Sequence, residues 1–122
     1  MKIAFLLPHL RIAGGVRAIL TYADRLAGRG HDVTLVVPRR TSWTAGWRRD
    51  RTAGPDWMPG LRARIHRVPS WDARHLPEGD ALVATAWQSA PFVAGAPPRC
   101  GRGIYLIQHY ESLYHGEPAR VD

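Results

Sequence analysis

Ile3-Ala4-Phe5-Leu6-Leu7-Pro8-His9-Leu10-Arg11-Ile12-Ala13-Gly14-Gly15-Val16 is the stretch whose reading decides the fold. Residues 3–7 are apolar without alternation, which suits a strand covered on both faces, the condition of the central strand in a parallel sheet. Pro8 ends the run. Beyond the two glycines, Val16, Ile19, Leu20, Ala23, Leu26 and Ala27 recur at helical spacing, while Arg17, Thr21, Asp24 and Arg25 take the other side. That is an amphipathic helix, closed by Gly30 as a left-handed cap. Val33, Leu35, Val36 and Val37 then form a second apolar strand before Pro38, completing a β-α-β unit with a right-handed crossover.

Three further strands follow. Residues 64–68 read as a weaker strand near a sheet edge, 81–86 as a buried strand, and 103–107 as another, with a short helix over 88–95 interrupted by Pro91. The expected fold class is α/β, a Rossmann-like, doubly wound and mainly parallel sheet. With 122 residues and 45% hydrophobic content the chain buries one ordinary core, so a single domain over 1–122 is expected. In such sheets ligands sit beyond the carboxyl ends of the strands, where strand order reverses. This singles out residues 9–15, 85–88 and 108–111.

The first of these segments carries the most chemistry. Gly14 and Gly15 stand at the start of the helix, where exposed N–H groups and the positive end of the helix dipole favour a phosphate. Two glycines at that point equally suit a plain strand-to-helix turn, and the residues alone leave both readings open. A dinucleotide site is disfavoured. The G-x-G-x-x-G fingerprint and the Walker sequence are absent, and the second strand ends at Arg39 and Arg40 instead of an acidic residue, which leaves only an NADP-like phosphate as an alternative.

Charge and composition exclude other classes. The formal net charge is +7, nearly all of it arginine because Lys2 is the only lysine, and this favours anionic partners or reflects base composition. Cys100 is the only cysteine, so no internal disulfide can form, and a catalytic thiol has no support. The apolar run before Pro8 is too short for a signal-peptide core or a membrane span, so a cytoplasmic location is expected. The ten acidic residues show no catalytic pairing and the six histidines no metal-ligand spacing, so no metal is expected. Between residues 39 and 62, Trp43, Trp47 and Trp57 alternate with arginines, glycines and prolines. This long loop reads as an acceptor-binding lid, a membrane-surface contact, or a solvated loop whose tryptophans pack on the core; no nucleic-acid module surrounds it.

Taken in order, the strand with Ile3-Ala4-Phe5, the Gly14-Gly15 loop, Leu26-Ala27 and Gly30-His31-Asp32-Val33 resemble the opening of GT-B glycosyltransferases of retaining family 4. The likeness extends to residues 84–90, and Ile107-Gln108-His109-Tyr110-Glu111 looks like the Gln-Asp-Tyr-Glu segment of rhamnosyltransferase-like members, with His109 where those carry Asp. It covers positions 1–38 and 80–112.

The resemblance implies the N-terminal, acceptor-side half of a GT-B enzyme, a hexosyltransferase moving sugar from a nucleotide sugar to a glycan or lipid-linked acceptor of the cell envelope. On it, Gly14 and Gly15 approach the donor diphosphate, His109 is the catalytic residue near donor sugar and acceptor, and His9, Arg11, Trp87, Gln88, Tyr110 and Glu111 line the acceptor side. His31 belongs to the turn signature and is read as structural. No cofactor or metal is implied. Donor recognition, with its E-x7-E glutamates, belongs to a second domain, so the chain is read as an N-terminal piece, inactive alone, with peripheral contact at the inner face of the membrane. The contrasting class is a non-catalytic domain that binds a phosphorylated ligand.

Overall fold

The computed structural model describes residues 1–11, 14–39, 55 and 57–107. The elements run β1 (Lys2–Leu6), α1 (Gly14–Gly28), β2 (Asp32–Pro38), β3 (Arg64–Val68), a 3-10 turn at Ala73–His75, β4 (Ala81–Ala84), α2 (Ala90–Ala94), a second 3-10 turn at Pro98–Cys100, and β5 (Arg102–Tyr105). The five strands form one sheet in the order β3-β2-β1-β4-β5, and every pairing is parallel.

β1 is the central strand, as its unbroken apolar run requires. Phe5 stands opposite Leu35 on one side and Val83 on the other. The side-chain period of two splits the apolar residues between two cores. Phe5, Leu7, Val33, Leu35, Val37, Ile65 and Val83 pack with Val16, Ile19, Leu20 and Ala23 of α1. Ala4, Leu6, Val36, Leu82 and Ala84 project to the opposite face and meet Val68, Trp71, Leu76 and Val93. Two buried faces explain why β1, β2 and β4 read as continuous apolar runs. Ile19, Leu20, Leu35 and Leu82 are wholly buried, each worth about 1.5–3 kcal/mol of transfer free energy.

The helix end follows from its last turn. Gly30 sits at φ +96°, its N–H donates to the Ala27 carbonyl at 3.0 Å, and the His31 N–H donates to the Leu26 carbonyl at 3.2 Å. This is the Schellman pattern. It also accounts for the Gly-His turn, where His31 is a capping position that delivers the chain into β2. Beside it, Arg62 clasps Asp24 through both carboxylate oxygens and through its own backbone N–H, tying the segment before β3 to α1.

Two local expectations need correction. Pro91 does not interrupt a helix over 88–95: it stands in the first turn of α2, where a missing N–H costs nothing, and so helps start a shorter helix. The last two strands are also shorter than their apolar runs, β4 ending at Ala84 and β5 at Tyr105. Residues 85 and 86 turn away because their N–H groups bond to a side chain instead of a neighbouring strand. Among the described residues no helix is long and apolar enough to cross a membrane.

Candidate functional site

The chain winds outward from β1 through β2 to β3 and then returns to lay β4 on the other side of β1. Two parallel neighbours are thus followed by segments on opposite faces of the sheet, the position at which ligands bind in sheets of this order. The two loops are joined at their roots. Thr85, just past β4, is buried and donates its hydroxyl to the Leu6 carbonyl at 2.7 Å. The same edge continues on both sides, with the Leu7 N–H on the Val36 carbonyl and the Leu106 N–H on the Ala84 carbonyl.

On the β1 side, the chain passes from Leu7 through Pro8 to His9, Leu10 and Arg11. Leu10 is buried among the side chains of the α1 face, whereas His9 is half-buried and Arg11 exposed. The Arg11 N–H donates to His9 Nδ1 at 3.2 Å. That bond requires Nδ1 to accept, which leaves the proton of the neutral ring on Nε2 as a donor. Burial first, and the Arg11 charge second, hold the imidazole below its ordinary value, so His9 is neutral at physiological pH. The Trp57 indole N–H donates to the Leu10 carbonyl at 3.0 Å.

Gly14 and Gly15 form the first residues of α1. Neither has a positive φ, and a Cβ added to Gly14 would meet nothing within 4 Å. The backbone around Gly14 therefore does not demand glycine. What its absent side chain leaves is exposed surface at the first turn of α1, the turn whose N–H groups have no partner within the helix itself.

On the β4 side, Ser89 closes a tight turn. Its hydroxyl oxygen accepts from the N–H groups of Thr85 and Ala86 and donates to the Ala86 carbonyl at 2.8 Å. Ser89 is fully buried, while Trp87 and Gln88 stand at the exposed tip of the turn, Trp87 with half its surface in solvent. The half-exposed Trp87 indole presents apolar surface at this edge.

His9, Arg11, Trp87 and Gln88 thus belong to loops leaving the carboxyl edge on either side of the β1–β4 junction, and Gly14 and Gly15 open the helix that follows the β1 loop. His109, Tyr110 and Glu111 lie outside the described residues, as does most of the tryptophan-arginine stretch apart from its ends. Sequence reasoning placed Thr85 in a candidate segment and offered core packing as one reading of Trp57, but gave Ser89 no role and foresaw none of their bonds: each joins a side chain to backbone that another segment supplies or that a turn has freed.

The opposite edge offers different chemistry. An open depression of about 400 Å³ is lined by Met1, Lys2, Asp32, Glu78, Asp80 and Arg99. Two of its carboxylates have partners, Asp80 accepting from the Lys2 backbone N–H at 2.7 Å and Asp32 paired with Arg64. Among the described residues no group of three His, Cys, Asp or Glu is arranged to hold a metal ion. No protein-family model, no curated protein and no solved structure matches this chain.

Proposed function

We propose that the chain is the acceptor-side, Rossmann-like half of a GT-B glycosyltransferase of the retaining family 4 type, transferring a hexose or deoxyhexose from a nucleotide sugar to a glycan or lipid-linked acceptor of the cell envelope. The observation that carries the reading is the start of α1 at the strand-order reversal on a Gly14 that the local backbone does not require. Exposed surface at a first turn whose N–H groups have no partner within the helix is what a diphosphate needs.

In the proposed reaction the acceptor hydroxyl attacks the anomeric carbon and the bond to the diphosphate oxygen breaks on the same face. The electron pair and the acceptor proton both pass to the leaving diphosphate. The protein's part is to stabilise the negative charge growing on that group, by N–H groups at Gly14 and Gly15 and by the dipole of α1. His109 contacts the donor sugar and acceptor. His9 donates from Nε2 as a neutral ring, Arg11 adds positive charge, and Trp87 and Gln88, with Tyr110 and Glu111, receive the acceptor. The nucleotide is held by a second domain, and no metal takes part. The enzyme works at the cytoplasmic face of the membrane.

The test is sugar transfer by the full-length gene product from a panel of nucleotide sugars to envelope glycans, run beside calorimetric titration of residues 1–122. Transfer by the whole protein, with only millimolar binding by the isolated chain, is expected because a solvent-open anion site makes few contacts against the cost of immobilising the ligand. Failure of every donor to support transfer by the full-length protein overturns the reading.

A further inference from the structure

Near the end of the tryptophan-arginine stretch, Trp57, Met58 and Leu61 pack against the α1-face core. The Met58 N–H donates to the Pro55 carbonyl at 3.1 Å, forming a turn that presents Trp57. Trp57, Met58 and Leu61 lie on the cluster built by Phe5, Leu7, Leu10 and Val16, and Ala63 and Ile65 are buried in it immediately afterwards. The platform under Trp57 is therefore part of the core. From it the indole N–H reaches 47 residues back to the Leu10 carbonyl.

We infer that Trp57 is a positioning residue for the candidate anion site: its indole N–H, bonded to the Leu10 carbonyl, fixes the turn that carries His9 and Arg11. The inference rests on the diphosphate reading for the ligand, but its structural half stands on the bonds themselves. Leu10 is held twice. Its side chain is buried with Val16 of α1, and its carbonyl is held by Trp57. A peptide unit pinned at both ends cannot rotate, so the flanking side chains at positions 9 and 11 keep their directions. The Arg11 N–H on His9 Nδ1 then fixes the imidazole and keeps its Nε2 proton available to a ligand oxygen. A phenylalanine at 57 would retain the ring on the core and lose only the donor. The half-buried Leu10 carbonyl would then have to turn toward water, carrying His9 and Arg11 with it.

The experiment compares the 122-residue chain with its Trp57→Phe variant by NMR, reading amide exchange and titrating with inorganic pyrophosphate. In Trp57→Phe the Arg11 amide is expected to exchange roughly tenfold faster while the Phe5 amide in β1 keeps its protection, a local loss that general destabilisation would not produce. Pyrophosphate shifts at His9, Arg11 and Gly14 should need roughly three- to tenfold more ligand in the variant. Unchanged exchange at Arg11, or faster exchange with unchanged pyrophosphate affinity, overturns the positioning role. If pyrophosphate moves none of these signals in the unaltered chain, the diphosphate reading falls, and Arg11 exchange alone decides whether Trp57 holds the turn.

Discussion

Gly14→Ala separates the demands of the fold from those of the ligand, because the two predict effects of opposite sign. A glycine within a helix costs about 0.5–1 kcal/mol relative to alanine, mainly through the freedom it gives the unfolded chain. Gly14 is helical, has no positive φ, and an added Cβ finds nothing within 4 Å. The substitution should therefore stabilise the chain by up to about 1 kcal/mol and raise Tm by roughly 2–6 °C for a domain of this size. The same methyl would occupy the space through which a diphosphate approaches the helix N–H groups. Losing one hydrogen bond to a charged group costs about 1.5–3 kcal/mol, roughly tenfold to a hundredfold in affinity. Thermal unfolding and pyrophosphate titration of the same variant read both effects, and transfer by the full-length protein should fall with the affinity. A stabilised variant with unchanged pyrophosphate affinity and turnover would refute the site; a destabilised one would refute the claim that the backbone does not need glycine there.

Other outcomes follow from the same structure. Gly101 adopts φ +85° and a Cβ there would overlap the Asp80 carbonyl, so Gly101→Ala should cost about 3 kcal/mol or more in a denaturant melt; a loss below 1 kcal/mol would show that β5 can shift to accept it. Asp24 is held below the ordinary carboxylate range, first by the Arg62 side-chain hydrogen bonds and then by its backbone N–H. Because the folded value lies below the unfolded one, this contribution is full above the ordinary carboxylate range and fades as pH falls through the folded value. Asp24→Asn should thus lower Tm at pH 7 and lose that difference progressively as pH falls below the ordinary carboxylate range, and a pH-independent difference would contradict the linkage. In the full-length protein His109→Ala should reduce turnover about tenfold or more with the melting curve unchanged, whereas full turnover would remove His109 from the site.

The sheet was legible in the sequence because its signal is local and redundant. A strand buried on both faces needs a near-continuous apolar run, and residues 3–7 and, apart from Thr34, residues 33–37 supply one each, with a 3.6-period helix between. The weakness of β3 was legible for the same reason: at the sheet edge only Ile65 and Val68 are buried, so polar residues occupy the rest. Strand ends were read less well. The apolar run through Ala86 overshoots β4 because hydrophobicity marks burial and not pairing; Thr85 is buried while its N–H serves Ser89.

The sequence located the segments after β1 and β4 from strand order alone, but not the bonds that join them. The bonds that shape this edge span 79 residues for Thr85 to Leu6 and 47 for Trp57 to Leu10, and no periodicity or spacing encodes them. Their common form is informative. Each joins a side chain to a backbone carbonyl at the root or shoulder of a loop, so each fixes backbone direction without using the side chains that project from the loop tip. His9, Arg11, Trp87 and Gln88 are left half-buried or exposed on supports that they do not themselves build. Substituting them should change what the edge binds with little effect on the sheet, whereas substituting Thr85, Ser89 or Trp57 should move the loops that carry them. A site whose recognising and supporting residues are distinct in this way can change its ligand without rebuilding the fold.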